Sequence, residues 1–343
     1  MKKSMLRRAS IATLALALTA TVSACGQSPS GDANAGGDSG DGAKVPTIGI
    51  STIVSHPDLD SLIEGIQDGL AEQGYVEGED VIVDVQNAQG DIALTTAIAQ
   101  KFVADGVDAI VGVSTPSSQA AVKATENTEI PVVFSGVSAD PAEAGLAKPG
   151  NEPLGRLVTG VYTPDTIEEQ LDLFAELTPD LERLGFIYNP GEPNSVASRG
   201  LVEAAAQQRG WTLVDSTVTS SNYVSAAMDA LVGQVDAVLL PQDNTVMTGL
   251  QTLVKIASDN QLPLYSSDTS SVEEGALATV ATNTYEQGKQ TAAMLVKILT
   301  GTSANDIAPE PAGNVTMWVN TASAQAMGVT VPESILKTAH LAE

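Results

Sequence analysis

The sequence has few of the residues on which several classes of protein site depend. It contains one cysteine and two histidines among 343 residues. One cysteine excludes an internal disulfide framework and a thiolate metal cluster, and two histidines leave little for a histidine-based metal site. Lys and Arg number 16 against 42 Asp and Glu, which gives a net charge of −26. Because phosphate binding draws on clustered Lys and Arg, this balance argues against a nucleic-acid partner.

Signatures of common catalytic sites are also absent from the sequence. It has no Gly-x-x-x-x-Gly-Lys-Ser/Thr loop, no Gly-x-Gly-x-x-Gly, no His-Glu-x-x-His and no Gly-x-Ser-x-Gly. His340 lies near the last residue, which leaves His56 as the histidine suited to be a general base. The acid pairs Asp58/Asp60 and Glu168/Glu169 could indicate glycoside hydrolysis, but on helices they are more typical of a solvated face. We therefore predict a protein that is not an enzyme and needs no metal or cofactor.

The first 25 residues have the order of a bacterial lipoprotein signal. Four basic residues precede a short apolar run at 11–22, and about 20 apolar residues are needed to span a bilayer. The segment Val22-Ser23-Ala24-Cys25 resembles a lipobox, whose cysteine is acylated and becomes the first residue of the mature chain. An ordinary Ala-type cleavage site beside an incidental cysteine is the alternative. We predict a signal peptide at 1–24 and lipid attachment at Cys25.

The stretch that follows has no Val, Ile, Leu or aromatic residue between 26 and 44. Such a segment buries too little apolar surface to offset its ordering entropy. A calcium loop at 38–42 is an alternative that lacks EF-hand spacing and the closing Glu. We predict that 25–44 is a flexible tether, which would hold the protein on the outer face of the cell membrane. Removal of 1–24 would change the net charge to −30.

From residue 45 onward, short apolar runs alternate with amphipathic segments. Leu59, Leu62, Ile63, Ile66 and Leu70 have helical spacing. Their helix follows a predicted strand at 47–50, and further elements are predicted as strands at 81–85, 107–113 and 130–134 and helices at 91–104 and 117–124. Strands that alternate with helices in this way predict a parallel sheet covered on both faces.

The same order then repeats with shared residues. The segment Val107-Asp108-Ala109-Ile110-Val111 matches Val235-Asp236-Ala237-Val238-Leu239, and Ile130-Pro131-Val132-Val133 matches Leu262-Pro263-Leu264-Tyr265. The two offsets are 128 and 132 residues, close enough for one duplicated unit. We therefore predict an α/β fold of two similar doubly wound parallel-sheet lobes, joined by hinge strands.

Polar side chains follow the strands in both halves of the sequence. Ligands of such sheets bind beyond the carboxyl ends of the strands, and hydroxyls, amides and acids suit a small polar molecule. The same residue types also cap helices. The predicted ligand-binding residues are Ser55, His56, Ser114, Thr115, Ser117, Ser118, Ser135, Val137, Tyr188, Asn194, Ser195, Asp243, Asn244, Thr245, Ser267 and Asp268.

Some of these residues suggest how a ligand would be held. The turn Thr115-Pro116-Ser117-Ser118 enters a helix, and its free N–H groups, hydroxyls and helix dipole suit a carboxylate. Asp243 or Asp268 could pair with an ammonium group, which would clamp a zwitterion between the two halves. His56 could donate to the ligand or cap the helix that follows it.

Several segments together resemble one known family. They are His56-Pro57, Leu59-Asp60, Gly74-Tyr75-Val76-Glu77-Gly78, Gln86-Asn87-Ala88-Gln89-Gly90-Asp91, Ala99-Gln100-Lys101-Phe102-Val103, Thr115-Pro116, Pro131-Val132-Val133-Phe134, Tyr188-Asn189-Pro190, Asn194-Ser195, Asp243-Asn244-Thr245-Val246 and Gly275-Ala276-Leu277-Ala278-Thr279. Over 45–340 the chain resembles the ABC-transporter substrate-binding protein family related to the tryptophan-binding protein TrpX. The resemblance implies a type I periplasmic-binding fold that closes on an aromatic amino acid or a similar small molecule. Its partners would be an ABC permease and its ATPase, and a monomer suffices for that cycle.

Two positions depart from the family pattern. Asp58 stands where members often carry a small residue, and Thr269 stands where an acid is common. The exchange could alter ligand choice. The family pattern also predicts lobe 1 at 45–161 plus 284–306 and lobe 2 at 162–282 plus 314–343, with crossings near 158–162, 278–283 and 307–313.

The function that we expect is therefore an extracytoplasmic solute-binding lipoprotein of an ABC importer. A lipoprotein that senses a ligand and signals to a membrane receptor would use the same fold, and sequence alone does not separate the two. A hydrolytic α/β enzyme is the least favoured alternative.

Overall fold

The structure, a computed structural model, describes residues 44–342. The predicted signal peptide, Cys25 and the tether up to residue 43 lie outside the described residues. Residues 44–343 form a compact unit of their own. Within the described part of the chain, no helix combines the length and apolar character needed to cross a membrane.

The first part of this unit alternates strands and helices as predicted. Its elements are β1 (Thr47–Thr52), α1 (Pro57–Glu72), β2 (Ile82–Asn87), α2 (Ile92–Asp105), β3 (Ala109–Val113), α3 (Thr115–Ala124), β4 (Val132–Val137) and β5 (Val158–Tyr162).

The second part continues the alternation of strands and helices. Its elements are α4 (Ile167–Leu177), β6 (Arg183–Tyr188), α5 (Pro193–Gln208), β7 (Thr212–Thr217), α6 (Val224–Asp229), β8 (Ala237–Leu240), α7 (Asn244–Met247), α8 (Leu250–Asp259), β9 (Leu264–Ser266), α9 (Thr269–Glu273) and β10 (Ala278–Thr282). The remaining elements are α10 (Thr284–Leu299), β11 (Glu310–Pro311), β12 (Val315–Asn320), α11 (Thr321–Ala326), α12 (Glu333–Leu336) and β13 (His340–Ala342).

Two parallel sheets share one strand order, which confirms the predicted α/β fold. The larger sheet runs β2-β1-β3-β4-β5-β11, and the smaller runs β7-β6-β8-β9. The first four strands of each therefore follow the same path. A third sheet, β10-β12-β13, joins the smaller one where the Leu277 N–H donates to the Leu264 carbonyl oxygen (2.6 Å).

The predicted element ends differ from the observed ones by a few residues. Helix α3 begins at Thr115 rather than at 117, because Pro116 is compatible with the first helical turn. Strand β4 runs on to Val137 instead of ending at 134. It does so through Gly136, whose φ of +61° accompanies a register shift between Phe134 and Val137.

The buried apolar side chains form two large clusters. One joins β1, β3 and β4 to residues of α10, among them Ala292 and Leu295. The other joins β6 and β8 to Ala278 and Val319 of the third sheet. This packing supports the two lobes that we propose, in which α10 follows lobe 2 in sequence but packs in lobe 1. We propose the same lobe boundaries as in the sequence analysis.

Helix α10 is held to lobe 1 by close contact with α1. A Cβ at Gly65 would lie 2.1 Å from the Tyr285 carbonyl oxygen, and a Cβ at Gly288 would lie 2.2 Å from the Leu62 carbonyl oxygen. No side-chain carbon fits at these distances, so the two helices touch backbone to backbone. The contact fixes the amino-terminal ends of both helices near lobe 2.

Replacement of Gly65 by Ala should therefore destabilise the fold. We expect a loss of about 1–3 kcal/mol in the free energy of unfolding, since the added methyl group must push α10 away. The matched control is Gly200→Ala inside α5, where an added Cβ would meet no atom within 4 Å. Helix propensity alone should make that variant more stable by about 0.5–1 kcal/mol. Urea denaturation measures both changes, and equal effects would contradict the close helix contact.

Candidate functional site

A small cavity lies between the two lobes at the carboxyl ends of the strands. Its lining comes from α1, α3 and the end of β4 on one side and from α5, α7 and the end of β8 on the other. The lining residues are His56, Asp58, Leu59, Ser114, Thr115, Gly136, Ser138, Asn194, Gln242 and Asn244. Its volume is about 10 Å³, close to the space that one water molecule needs, so this form of the cavity has no room for a larger molecule.

Five lining residues carry a buried polar atom that has no hydrogen-bond partner among the described residues. These atoms are His56 Nδ1, Asp58 Oδ1, Ser114 Oγ, Thr115 Oγ1 and Asn194 Oδ1. Each residue is at most 6% exposed. A buried polar group without a partner costs about 1–3 kcal/mol, and most such groups in folded proteins are paired. Five of the twelve such atoms among the described residues belong to the lining of this one cavity, which makes it the candidate site for a polar molecule.

The turn that leads into α3 supplies the hydroxyl side of this cavity. Ser118 Oγ donates to the carbonyl oxygens of Gly112 (2.8 Å) and Ser114 (2.7 Å), which fastens the turn to β3. Within residues 44–342, Ser117 Oγ is buried without a partner, close in the chain to those of Ser114 and Thr115. Unpaired hydroxyls at the start of a ten-residue helix suit an anionic group, because the helix dipole is positive there.

Ser114 itself has a strained backbone. Its φ of +83° and ψ of +161° lie in a region that glycine adopts freely and other residues rarely adopt. The strain turns the chain from β3 into α3 and keeps the Ser114 side chain at the cavity wall.

On the lobe 2 side, the buried carboxylate of Glu192 organises the start of α7. It accepts hydrogen bonds from the N–H groups of Asn244 and Thr245 (both 3.0 Å) and from Thr245 Oγ1 (2.8 Å). Asn194 Nδ2 donates to the Gln242 carbonyl oxygen (2.8 Å), which orients that amide. Glu192 was not among the predicted residues, because no sequence signal marks an acid that binds backbone from a distant loop.

Asp243 and Asp268 both act as helix caps. Asp243 accepts from the N–H groups of Thr245, Val246 and Asn189, and Asp268 accepts from the N–H and Oγ of Ser271. Burial and the nearby Glu192 charge raise the pKa of Asp243 to about 7. Burial raises the pKa of Asp268 to about 6, against the Ser271 hydrogen bonds that lower it. Neither side chain lines the cavity, and the pairing of either acid with an ammonium group stays a prediction.

Asp58 lies where the sequence-based interpretation did not place it. We predicted a solvated helix face for Asp58 and Asp60, but Asp58 is 5% exposed while Asp60 is exposed. The prediction was wrong for Asp58 because the first turn of α1 faces α9 of lobe 2 rather than solvent. Burial and the negative charge of Asp268 raise the pKa of Asp58 well above its usual value, and a hydrogen bond with Thr284 opposes that shift.

His56 precedes α1 but does not cap it with its side chain. The described part of the chain shows no capping hydrogen bond from the imidazole, which excludes one of the two roles considered for it. Burial lowers the pKa of His56 to about 4, against a hydrogen bond with Asn244 that raises it. The ring is therefore neutral near pH 7, able to donate from one nitrogen and accept at the other.

Some of the other predicted residues line neighbouring cavities, and the rest have contacts elsewhere. Thr245 lines a neighbouring cavity of about 160 Å³, and Ser195 and Ser267 line a second one that shares Asn194 and Gln242 with the central cavity. Ser135 pairs with Thr291 (2.7 Å), Val137 lies in the lobe 1 core, and Tyr188 packs on Phe186. Ser55 is exposed and donates to Asp60 (2.6 Å). Ser135, Val137, Tyr188 and Ser55 therefore do not line the central cavity.

Ser114→Gly should stabilise the protein by relieving the backbone strain. We expect a gain of about 1–2 kcal/mol in the free energy of unfolding beyond that of Asn314→Gly. Asn314 is the matched control, since its φ is +60°, a common left-handed conformation, and it lies outside the three cavities. The comparison removes the extra chain entropy that glycine brings to both variants. Equal values by chemical denaturation would show that Ser114 stores no strain.

Comparisons with known proteins agree with this arrangement. Residues 47–342 match the family model of ABC transporter substrate binding proteins. A tyrosine-binding protein of Clostridioides difficile (strain R20291) is 35% identical over 283 residues, which cover 82% of this chain and 81% of that protein.

Two solved structures, both 34% identical to this chain, show different states. An ABC domain from Streptococcus pneumonia in complex with L-Trp has a TM-score of 0.81 and covers 86% of this chain and 99% of its own. The ligand-free, open structure of a substrate binding protein with adhesive properties from Clostridium difficile has a TM-score of 0.64, covering 87% and 99%. This structure is thus closer to the L-Trp complex than to the open one. The chain belongs to the ABC transporter substrate binding protein family.

Proposed function

We propose that this protein is an extracytoplasmic solute-binding lipoprotein of an ABC importer. It captures a small amino-acid-like ligand, with an aromatic amino acid favoured, and delivers it to a membrane permease and its ATPase. The observation that carries this proposal is the cavity between the lobes, around which five buried polar atoms have no partner among residues 44–342. The ligand-binding residues that we propose are those that line this cavity.

Relatives support the ligand class. A protein 35% identical to this chain is described as tyrosine-binding, and a structure 34% identical contains L-Trp. In this chain the hydroxyls of Ser114 and Thr115 suit the carboxylate that both amino acids carry. Asn194 and Asn244 add amide groups from the opposite lobe.

The arrangement of the lobes supports capture by closure. The central cavity is too small to admit an amino acid without movement, and its walls belong to both lobes. A ligand that contacts both walls binds the closed state better than the open one and shifts the population toward closure. One chain supplies the whole lining, so we propose that a monomer completes the cycle.

Aromatic L-amino acids should raise the melting temperature of the purified protein. We expect the shift to increase with ligand concentration, as ligand binding to the folded state requires. Differential scanning fluorimetry with L-Tyr, L-Trp, L-Phe and other amino acids measures it, followed by calorimetric titration. If another chemical class shifts the melting temperature and the aromatic ones do not, the ligand class is wrong. Steady conversion of a bound ligand into product would contradict the non-enzymatic role.

A pair of threonine variants tests whether the central cavity is the binding site. Thr115→Val removes a buried hydroxyl at constant shape and should weaken binding about tenfold, the value of one hydrogen bond. Thr302→Val is the control, because Thr302 is exposed in the loop after α10. Equal affinities for the two variants would place the site elsewhere.

Replacement of Cys25 by Ala should release the protein from the membrane fraction of its host. Without the thiol no lipid can be attached, and a flexible tether alone does not hold a protein on a bilayer. Ser28→Ala, three residues further on, is the control and should stay in the membrane fraction. Immunoblots of separated membrane and soluble fractions measure the outcome. Membrane retention of Cys25→Ala would show that the lipobox interpretation is wrong.

A further inference from the structure

Four acids are buried at the interface between the lobes, and their hydrogen bonds separate them into two groups. Both oxygens of Asp243 accept from backbone N–H groups, of Asn189 and of α7, and both oxygens of Asp268 accept from Ser271. Both oxygens of Glu192 accept from the start of α7. Asp58 differs, because its Oδ1 is buried and accepts from no group in the described part of the chain. Asp58 is also the one acid of the four that lines the central cavity. A free carboxylate oxygen at a cavity wall is available to a ligand.

Within residues 44–342, the surroundings of Asp58 contain no positive charge to balance it. No Lys or Arg of this described part lines the cavity. From α9, the group that faces Asp58 is another acid, Asp268, and the adjoining His56 is neutral near pH 7 because burial lowers its pKa. From α10, the group that reaches Asp58 is the Thr284 hydroxyl.

The charged groups further along α10 are engaged elsewhere. Lys289 pairs with Glu72 (2.9 Å), the Tyr285 hydroxyl donates to Asp68 (2.9 Å), and Lys297 lies in the last turn of the helix. Two buried acids without a cation are costly, and a raised pKa is one result of that cost. A cationic group of the ligand at the free oxygen of Asp58 would offset part of it.

The lobe 1 side of the cavity also carries groups of the opposite chemical character. The unpaired hydroxyls of Ser114 and Thr115 stand at the positive end of the α3 dipole, whereas Asp58 stands beside a second acid. The hydroxyls suit an anionic group, and Asp58 suits a cationic one. A molecule that carries both groups close together, as an α-amino acid does, matches this polarity.

We propose that the Asp58 carboxylate binds the ammonium group of the ligand and makes this protein selective for ligands with a primary amine. The inference rests on the proposed function and specifies one contact within it. Asp58 supplies the contact from lobe 1, on the same helix that α10 holds by backbone contact.

The test compares ligands with and without the amine on two variants. The probes are L-Tyr and L-Trp, their des-amino analogues 3-(4-hydroxyphenyl)propionate and indole-3-propionate, and the amines tyramine and tryptamine. Calorimetric titration measures the affinity of each for the full protein. Asp58→Asn removes the charge at constant shape, and the matched control is Asp60→Asn, the same change at an exposed position of α1.

For the wild type and for Asp60→Asn, we expect the amino acids to bind ten to a hundred times more tightly than their des-amino analogues. That range is about the value of one hydrogen bond to a charged group. In Asp58→Asn the difference in affinity between the amino acids and their des-amino analogues should fall to less than about threefold. Only the amino acids and the amines should bind more weakly, and the des-amino analogues should bind as before. Asp58→Ala should give the same loss of selectivity, and thermal melts establish that both variants are folded.

Other outcomes overturn the inference in ways that can be told apart. Unchanged binding of L-Tyr and L-Trp by Asp58→Asn overturns the role of Asp58 and leaves the proposed function intact. An equal loss for amino acids and des-amino analogues also overturns it, because it shows that Asp58 acts only on the structure of the cleft. Failure of the wild type to bind any probe overturns both the aromatic ligand class and the amine contact.

Discussion

The backbone contact between α1 and α10 is the constraint on which the cleft depends. Gly65 and Gly288 let the two helices touch without intervening side chains, and this contact returns the chain from lobe 2 to lobe 1. The amino-terminal ends of both helices then face lobe 2, so that Asp58 and Thr284 meet there. A bulkier residue at either glycine would separate the helices and move the wall of the cavity. Helix packing outside the cavity therefore sets the geometry of its wall.

The lining of the central cavity contains two features that destabilise a fold, namely buried polar atoms without partners within residues 44–342 and a strained backbone. Many buried polar groups elsewhere are paired, for example Ser135 with Thr291 and Asp243 with three backbone N–H groups. Around the central cavity, polar atoms stay without partners among the described residues, and Ser114 adopts a strained backbone. Such costs persist only where the surrounding structure enforces them. In the function that we propose, a ligand that pairs with these groups recovers free energy when the lobes close.

Residues that line the cavity differ from residues that hold the neighbouring helices in place. Glu192, Asp243 and Asp268 are as deeply buried as the lining residues, but their oxygens are occupied by the starts of α7 and α9. Glu192 and Asp243 fix the start of α7, and with it Asn244, without lining the cavity. A sequence pattern shows an acid followed by a helix in each case. Only the hydrogen bonds distinguish an acid that caps a helix from one that faces a ligand.

The alternation of apolar runs and the repeat between the halves were sufficient to predict two sheets of the same strand order, because these patterns depend on local spacing. The strand-end rule also identified His56, Ser114, Thr115, Asn194 and Asn244, which line the cavity together. The sequence did not determine the environment of Asp58, since helical spacing alone makes the first turn of α1 look solvated. Nor did it reveal Glu192 or the free oxygen of Asp58. Burial between lobes and the sharing of hydrogen bonds arise from residues distant in sequence, so only the tertiary structure decided them.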